Sequence, residues 1–263
     1  MSHPDSYQQG FPSWLEHMSP DYPASKKFYS ALFGWAYSEQ QVGPDAERDI
    51  YGLITSDGAE IGGMGYQRPD QIEAGEQPMW FVAFDVDNAD ATTKAIAENG
   101  GTVLLEPMDV FGQGRYAMAL DPTNAVFTIW EAGTRKGADA FQEPNTLLWV
   151  ELETPNPGKA AQFYERVFGI EANVGESQGE SYTYLGRGES RYGGILQMDD
   201  KSRPPRWHPY FCVMDLDATV EKAETLGAKQ CKEIFTIPFG RIASMVDPQG
   251  APFTMMTPVP PAQ

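Results

Sequence analysis

Two short stretches carry side chains that do chemistry together: Trp14-Leu15-Glu16 and Trp149-Val150-Glu151. In an extended chain, residues two apart share a face, so each stretch sets an indole beside a carboxylate. The indole offers a broad stacking surface. The carboxylate accepts a hydrogen bond from a hydroxyl or amine and, once desolvated, gains the raised pKa of a general base. A structural role fits the same residues, with the Trp filling a core and the Glu capping a strand end or pairing with an arginine. His208, in Arg206-Trp207-His208-Pro209, stands at a strand start. It serves either as a hydrogen-bonding strand residue or, facing a cleft, as a general base or donor to a substrate. Arg115 and Arg241 each follow a glycine ahead of an Asp-Pro turn; they either orient an anionic substrate or pair with a carboxylate.

These candidates sit inside a duplication. Shifting the chain by 135 positions lays Trp14 on Trp149, Glu16 on Glu151, Pro20 on Pro155, Phe28-Tyr29 on Phe163-Tyr164, and Phe33-Gly34 on Phe168-Gly169. Further on, 86–101 matches 213–228 through Val, Asp-Ala-Thr and a helix-ending Gly, and 114–128 matches 240–254 through Gly-Arg, Asp-Pro and Phe-Thr. The halves run over 10–132 and 145–258, joined by a polar Gly- and Pro-containing linker at 133–144. Each half divides again, into 10–68 and 78–132, and into 145–198 and 206–258. In every quarter a strand precedes an amphipathic helix that stops at Gly, and short alternating strands follow. The unit is β-α-β-β-β, repeated four times: an α+β chain of half-open curved sheets with helices outside and concave faces lined at period two.

The formal net charge of −18 over 263 residues opposes binding to nucleic acid or to an anionic membrane. No apolar run reaches membrane-spanning length, and the start lacks the pattern of a signal peptide. Cys212 and Cys231 form no metal-binding spacing, so a cytoplasmic protein is expected. The Gly-x-Ser-x-Gly at 175–179 is followed by strand-like Ser-Tyr-Thr-Tyr-Leu-Gly. A nucleophile elbow needs a helix there, so Ser177 is placed in a hairpin loop.

Paired β-α-β-β-β units, Phe-Tyr before Phe-Gly in the first helix, and Gly-Arg ahead of Asp-Pro and Phe resemble the vicinal-oxygen-chelate superfamily. It includes glyoxalase I, extradiol dioxygenases and bleomycin-resistance proteins. The paired Trp-x-Glu strands and Gly-Gly turns look most like its two-domain actinobacterial branch, labelled glyoxalase-like or hydroxylase. The resemblance implies two tandem domains of this fold, each with a cleft. Carried over position by position, the family's metal ligands fall on Trp14 and Trp149, on Phe81 and His208, and on Thr128 and Thr254. Only His208 can ligate, so no metal or other cofactor is expected; a divalent ion would have to recruit Glu16 and Glu151 from shifted positions. With Glu16, Glu151 and His208 as acid/base candidates, the expected ligand-binding residues are Trp14, Phe81, Thr128, Trp149, Tyr210, Thr254, Arg115 and Arg241. The implied function is handling of a small aromatic or carbonyl-containing molecule by a monomer or homodimer. Lyase, isomerase or hydroxylase tailoring, as in antibiotic biosynthesis, is the first alternative, and drug or metabolite sequestration without catalysis is the second. The second half, with His208, is the better candidate for a retained site.

Overall fold

Four long helices begin in the same way, and that start fixes the architecture. In the computed structural model, which describes residues 7–177, 179–200 and 202–259, an Asp or Asn side chain caps each one. Asp21 accepts from the Ala24 N–H, Asn88 from Ala91, Asn156 from Lys159 and Asp215 from Ala218. Pro23 and Pro157 supply the preset φ of a first turn. Gly34 and Gly169 end their helices in the left-handed conformation, at φ 76° and 67°, where a side chain is strained. His3 lies outside the described residues.

The expected module appears four times. The first is β1 (Pro12–Ser19), α1 (Tyr22–Phe33), β2 (Ala36–Gln41), β3 (Ile50–Ser56) and β4 (Ala59–Tyr66), followed by the short α2 (Pro69–Glu73). The second is β5 (Met79–Asp85), α3 (Ala89–Glu98), β6 (Thr102–Asp109), β7 (Gly114–Leu120) and β8 (Val126–Ala132). The third is β9 (Leu147–Thr154), α4 (Pro157–Phe168), β10 (Glu171–Ser177), β11 (Glu180–Arg187) and β12 (Ser190–Gln197). The fourth is β13 (Arg206–Cys212), α5 (Leu216–Thr225), β14 (Lys229–Gln230), β15 (Phe235–Ile237), β16 (Gly240–Val246) and β17 (Pro252–Pro258), its second strand broken into two pieces. In each, the last three strands form an antiparallel meander, and the first strand lies parallel to the last: Glu16 beside Gly63, Ala83 beside Thr128, Glu151 beside Gly194, Tyr210 beside Thr254. Ser177 is the last residue of β10 and pairs with Glu180 of β11, so it stands at a strand end and not in the loop expected, and a strand follows it where a nucleophile elbow needs a helix.

The chain packs as two compact units, and neither is a sequence half. Among the described residues, one gathers 7–14, 81–137 and those of 149–208; the other gathers 15–80, 138–148 and 209–259. The boundaries 10–132 and 145–258 thus describe a repeat in sequence, whereas each packing unit draws on both halves. The repeated residues show why. In the first unit, Tyr164 of α4 donates to Asp121 of the Asp-Pro turn after β7 at 3.1 Å and accepts from Trp207 Nε1 at 2.9 Å. Phe84, Phe127 and Phe168 pack around that tyrosine. In the second unit, Tyr29 of α1 donates to Asp247 at 3.0 Å and accepts from Trp80 Nε1 at 3.1 Å, among Phe33, Trp35 and Phe253. The tyrosine of one half is thus satisfied by the aspartate of the other, in the buried interior where an unmet hydroxyl is costly.

Candidate functional site

From Trp149 on, β9 alternates. Val150, Leu152 and Thr154 are buried on one face, and Trp149, Glu151 and Glu153 are half-buried on the other. Gly194 of β12 lies beside Glu151. A Cβ there would collide with the Tyr182 hydroxyl, so the glycine lets the phenol cross the strand. Tyr182 then donates to Glu151 Oε2 at 2.7 Å and accepts the Trp149 indole N–H at 3.0 Å. Burial, then the charge and hydrogen bond of Glu151, push the Tyr182 hydroxyl well above its ordinary pKa, so it is the proton donor of the pair. Tyr184 packs edge-on to Tyr182 with centroids 4.8 Å apart, and the Arg191 guanidinium covers Tyr184 at 4.7 Å. The result is an aromatic shelf with its orientation fixed by hydrogen bonds.

Two residues further along β9, Glu153 meets His208. His208 Nε2 lies 3.0 Å from Glu153 Oε2 and 3.0 Å from Arg206 Nε, and Arg203 reaches to 3.7 Å from the same carboxylate. Burial alone would raise the Glu153 carboxyl, but the His208 hydrogen bond and, in the acid range where this carboxyl titrates, the charges of protonated His208, Arg203 and Arg206 outweigh it and hold it down at about 2. Burial holds the His208 imidazole below its ordinary value against the pull of Glu153. Two guanidinium groups already balance the carboxylate, so the anion resides on Glu153 and the neutral form on His208. One Nε2 cannot both receive the Arg206 N–H and donate to Glu153; when it carries the proton and donates to Glu153, Nδ1 holds the basic lone pair. No hydrogen bond among the described residues reaches that Nδ1.

The other expected residues are placed differently. Tyr51 donates to Glu16 Oε1 at 2.9 Å, and a Cβ at Gly63 would strike the Tyr51 hydroxyl, repeating the Tyr182–Glu151 arrangement. The positions matching Glu153 and His208, however, are Met18 and Phe81. Trp14 is only 7% exposed and lies under the Arg135 guanidinium at 5.2 Å, so that ring face is covered. Tyr210 and Thr254 are buried register partners on β13 and β17. Thr128 is fully buried and gives its hydroxyl to the Val82 carbonyl at 3.3 Å, which links β8 to β5. Arg115 and Arg241 take the carboxylate-pairing role of the two expected for them. Each forms a two-pronged ion pair with a helix carboxylate, Asp90 of α3 at 2.6 and 2.8 Å and Asp217 of α5 at 2.6 and 2.9 Å; they point to the helices because residues 115 and 241 fall on the helix-facing side of their strands.

Sequence reasoning passed over Glu153, Arg206 and the two tyrosines. Glu153 was visible as the third member of Trp-x-Glu-x-Glu, and Arg206 as the residue two before His208; the Gly-Gly pairs were the trace of the crossing phenols. His17 was missed as well. It is fully buried, with Nε2 3.2 Å from Asp247, and belongs to the core.

The donor set does not suit a divalent ion. No group of three or more His, Cys, Asp or Glu among the described residues is arranged to hold one. Glu16 and Glu151 are taken by phenols, and the remaining His–Glu pair is flanked by two guanidinium cations.

Residues 13–129 match the model of the glyoxalase/bleomycin resistance protein/dioxygenase superfamily, and 149–256 match a glyoxalase-like domain. A putative glyoxylase, CFP32, of Mycobacterium tuberculosis is 36% identical over 97% of both chains. The anthracycline biosynthesis protein DnrV of Streptomyces peucetius is 34% identical over 95% of this chain and 94% of its own. Among solved structures, the Mn(II)-bound glyoxalase from Novosphingobium aromaticivorans superposes with a TM-score of 0.62 at 16% identity, covering 98% of this chain and 83% of that one.

Proposed function

The chain belongs to the glyoxalase/bleomycin resistance protein/dioxygenase superfamily, and from that premise we propose that it binds a flat, carbonyl-bearing aromatic molecule against Trp149 and acts on it by proton transfer through His208. The observation that carries this reading is the 3.0 Å contact of His208 Nε2 with Glu153 on the strand face that also bears Trp149. Glu153 holds the Nε2–H, and Nδ1 takes a proton from a carbon or hydroxyl next to the ligand carbonyl. The imidazolium so formed is stabilised by the Glu153 carboxylate. Arg206 lies beside the pair, where it offsets negative charge developing on the ligand oxygen. This is lyase- or isomerase-type chemistry that asks for no metal, in keeping with the donor set. The relative named for anthracycline biosynthesis supports a fused-ring ligand, since anthracyclines are flat polycycles. Cys212 and Cys231 stand as thiols and not as a disulfide, which supports a reducing, cytoplasmic setting.

One observation favours the alternative of a sequestering protein without catalysis: Glu151, expected as a base, is occupied by the Tyr182 hydroxyl. The two are separated by titrating the protein with 1,8-dihydroxyanthraquinone in a calorimeter and following solvent deuterium exchange into ring-ketone analogues by NMR. Catalysis predicts exchange in the wild type that disappears in His208→Asn while binding persists. Binding without any exchange leaves sequestration, and loss of neither on Trp149→Ala removes the site.

A further inference from the structure

The arginine beside the aromatic shelf has no carboxylate of its own. Arg191 of β12 is exposed, and its guanidinium lies on the Tyr184 ring at 4.7 Å. No carboxylate pairs with it among the described residues, although the chain carries a formal net charge of −18. Arg115 and Arg241 behave otherwise, each closed on an aspartate by two hydrogen bonds. A guanidinium stacked on a ring keeps its edge N–H groups for a further acceptor, and its flat fork fits a carboxylate.

Strand pairing puts Arg191 on the shelf. Gly193 lies opposite Leu185 and Arg191 opposite Gly186, which leaves Tyr192 as the extra residue of a bulge. Gly186 shares a face with Tyr184 and Tyr182, so Arg191 shares it too. The repeat does not supply the stacked pair: at the same register of the first module stand Leu53, opposite Gly63, and Glu60, opposite Thr55. β12 runs parallel to β9, with Gly194 beside Glu151 and Leu196 beside Glu153. Arg191 therefore stands at the Trp149 end of the face, and His208, which meets Glu153, at the other. The ring contacts from Trp149 to Tyr184 at 6.5 Å and from Tyr184 to the guanidinium at 4.7 Å bridge indole and cation, a span within reach of a substituted tricyclic ring system. At the His208 end Arg203 and Arg206 are engaged with the Glu153–His208 pair, so Arg191 is the cation left over.

We propose that Arg191 determines the specificity of the Trp149 site: the ligand carries a carboxylate, held by Arg191, at the end of its ring system away from the carbonyl that meets His208. This rests on the reading that the ligand lies against Trp149. It narrows the ligand class to acidic aromatic ketones and sets which way round the ligand lies.

The test is calorimetric titration of the full-length protein with anthraquinone-2-carboxylate and with anthraquinone-2-carboxamide, which match in shape and differ in charge. The carboxylate should bind about tenfold tighter than the amide, against the repulsion of the chain's net charge. In Arg191→Gln the two affinities should converge to within about twofold. Arg191→Lys, which keeps the charge without the fork, should retain part of the preference. An arginine that only covers Tyr184 would, when replaced, weaken both ligands by the same factor; an unchanged ratio in Arg191→Gln, or equal binding of the two ligands by the wild type, would overturn the proposal. Trp149→Ala should weaken both ligands alike. Trp149-dependent binding without a charge preference removes the role of Arg191 and leaves the site standing, whereas binding that ignores Trp149, or no binding of either ligand, removes the site and this proposal with it.

Discussion

Glu153 and His208 are the pair whose charges can be read in a titration. The Glu153 carboxyl is held at about 2 in the folded chain, against an ordinary value of 4.5. Its unfolded form therefore binds more protons, and its contribution to stability is present above about 4.5 and lost as pH falls toward 2. The buried imidazole is likewise held low, so its contribution is present above its ordinary 6.5 and fades as pH falls through that value and below. Both terms have the same sign. Urea midpoints measured from pH 7 to pH 3 should fall steadily in the wild type. In Glu153→Gln the lower part of that fall should flatten, at a cost on the order of 2 kcal/mol at pH 7 from a buried histidine and two arginines left without their carboxylate. His208→Asn should flatten the part near pH 6. An acid limb unchanged in both variants would show that the contact is not made in solution. The pair itself was half legible. His208 stood out as a histidine in a chain with three, but Glu153 looked like any polar strand residue until β9 and β13 brought the two together.

At the scale of elements, the duplication made nearly everything readable. Asx caps, Pro at first turns and Gly at helix ends recur at matching positions, and the four modules follow from them. The crossing phenols were not readable, because a Gly-Gly pair announces room without saying what fills it. Gly194→Ala should place a methyl on the Tyr182 hydroxyl, displace the phenol from Glu151 and destabilise the fold by about 1–3 kcal/mol. It should also weaken binding of 1,8-dihydroxyanthraquinone, because Trp149 loses the partner of its indole N–H. Cap loss is a control of known size: Asn156→Ala should lower stability by about 1 kcal/mol and leave the shelf and its binding unchanged. A Gly194→Ala protein with wild-type stability and binding would mean that Tyr182 is not held over that glycine.

At the scale of the molecule, packing partners were hidden from sequence reasoning. Periodicity tells which face of α1 or α4 is apolar; it does not tell which half supplies the other side. Because Tyr29 finds Asp247, and Tyr164 finds Asp121, cutting the chain in the 133–144 linker should leave each fragment with buried hydroxyls and rings unmatched. Separately expressed fragments should lack cooperative thermal transitions and regain one on mixing. Two independently cooperative fragments would show that the halves are self-sufficient. The two units also differ in one core residue, since His17 stands beside Asp247 where Leu152 occupies the matching place. Burial alone would raise the Asp247 carboxyl, but His17 and hydrogen bonds pull it below its ordinary value, whereas burial dominates at Asp121 and raises it. In His17→Leu, Asp247 should behave as Asp121 does: stability should now fall as pH rises above about 4, the reverse of the wild-type contribution. Unchanged pH dependence would remove His17 from the account of that core.

The central claim is that His208, held by Glu153 next to Trp149, is the working group of a ligand site. With three histidines in the chain, nitrogen-15 histidine labelling reads it directly, and His208→Asn assigns its signals. At pH 7 the His208 ring should be neutral with its proton on Nε2, and its Nδ1 resonance should move on addition of 1,8-dihydroxyanthraquinone. A His208 ring that is charged at pH 7, or whose signals stay fixed as the anthraquinone is added, would contradict the account.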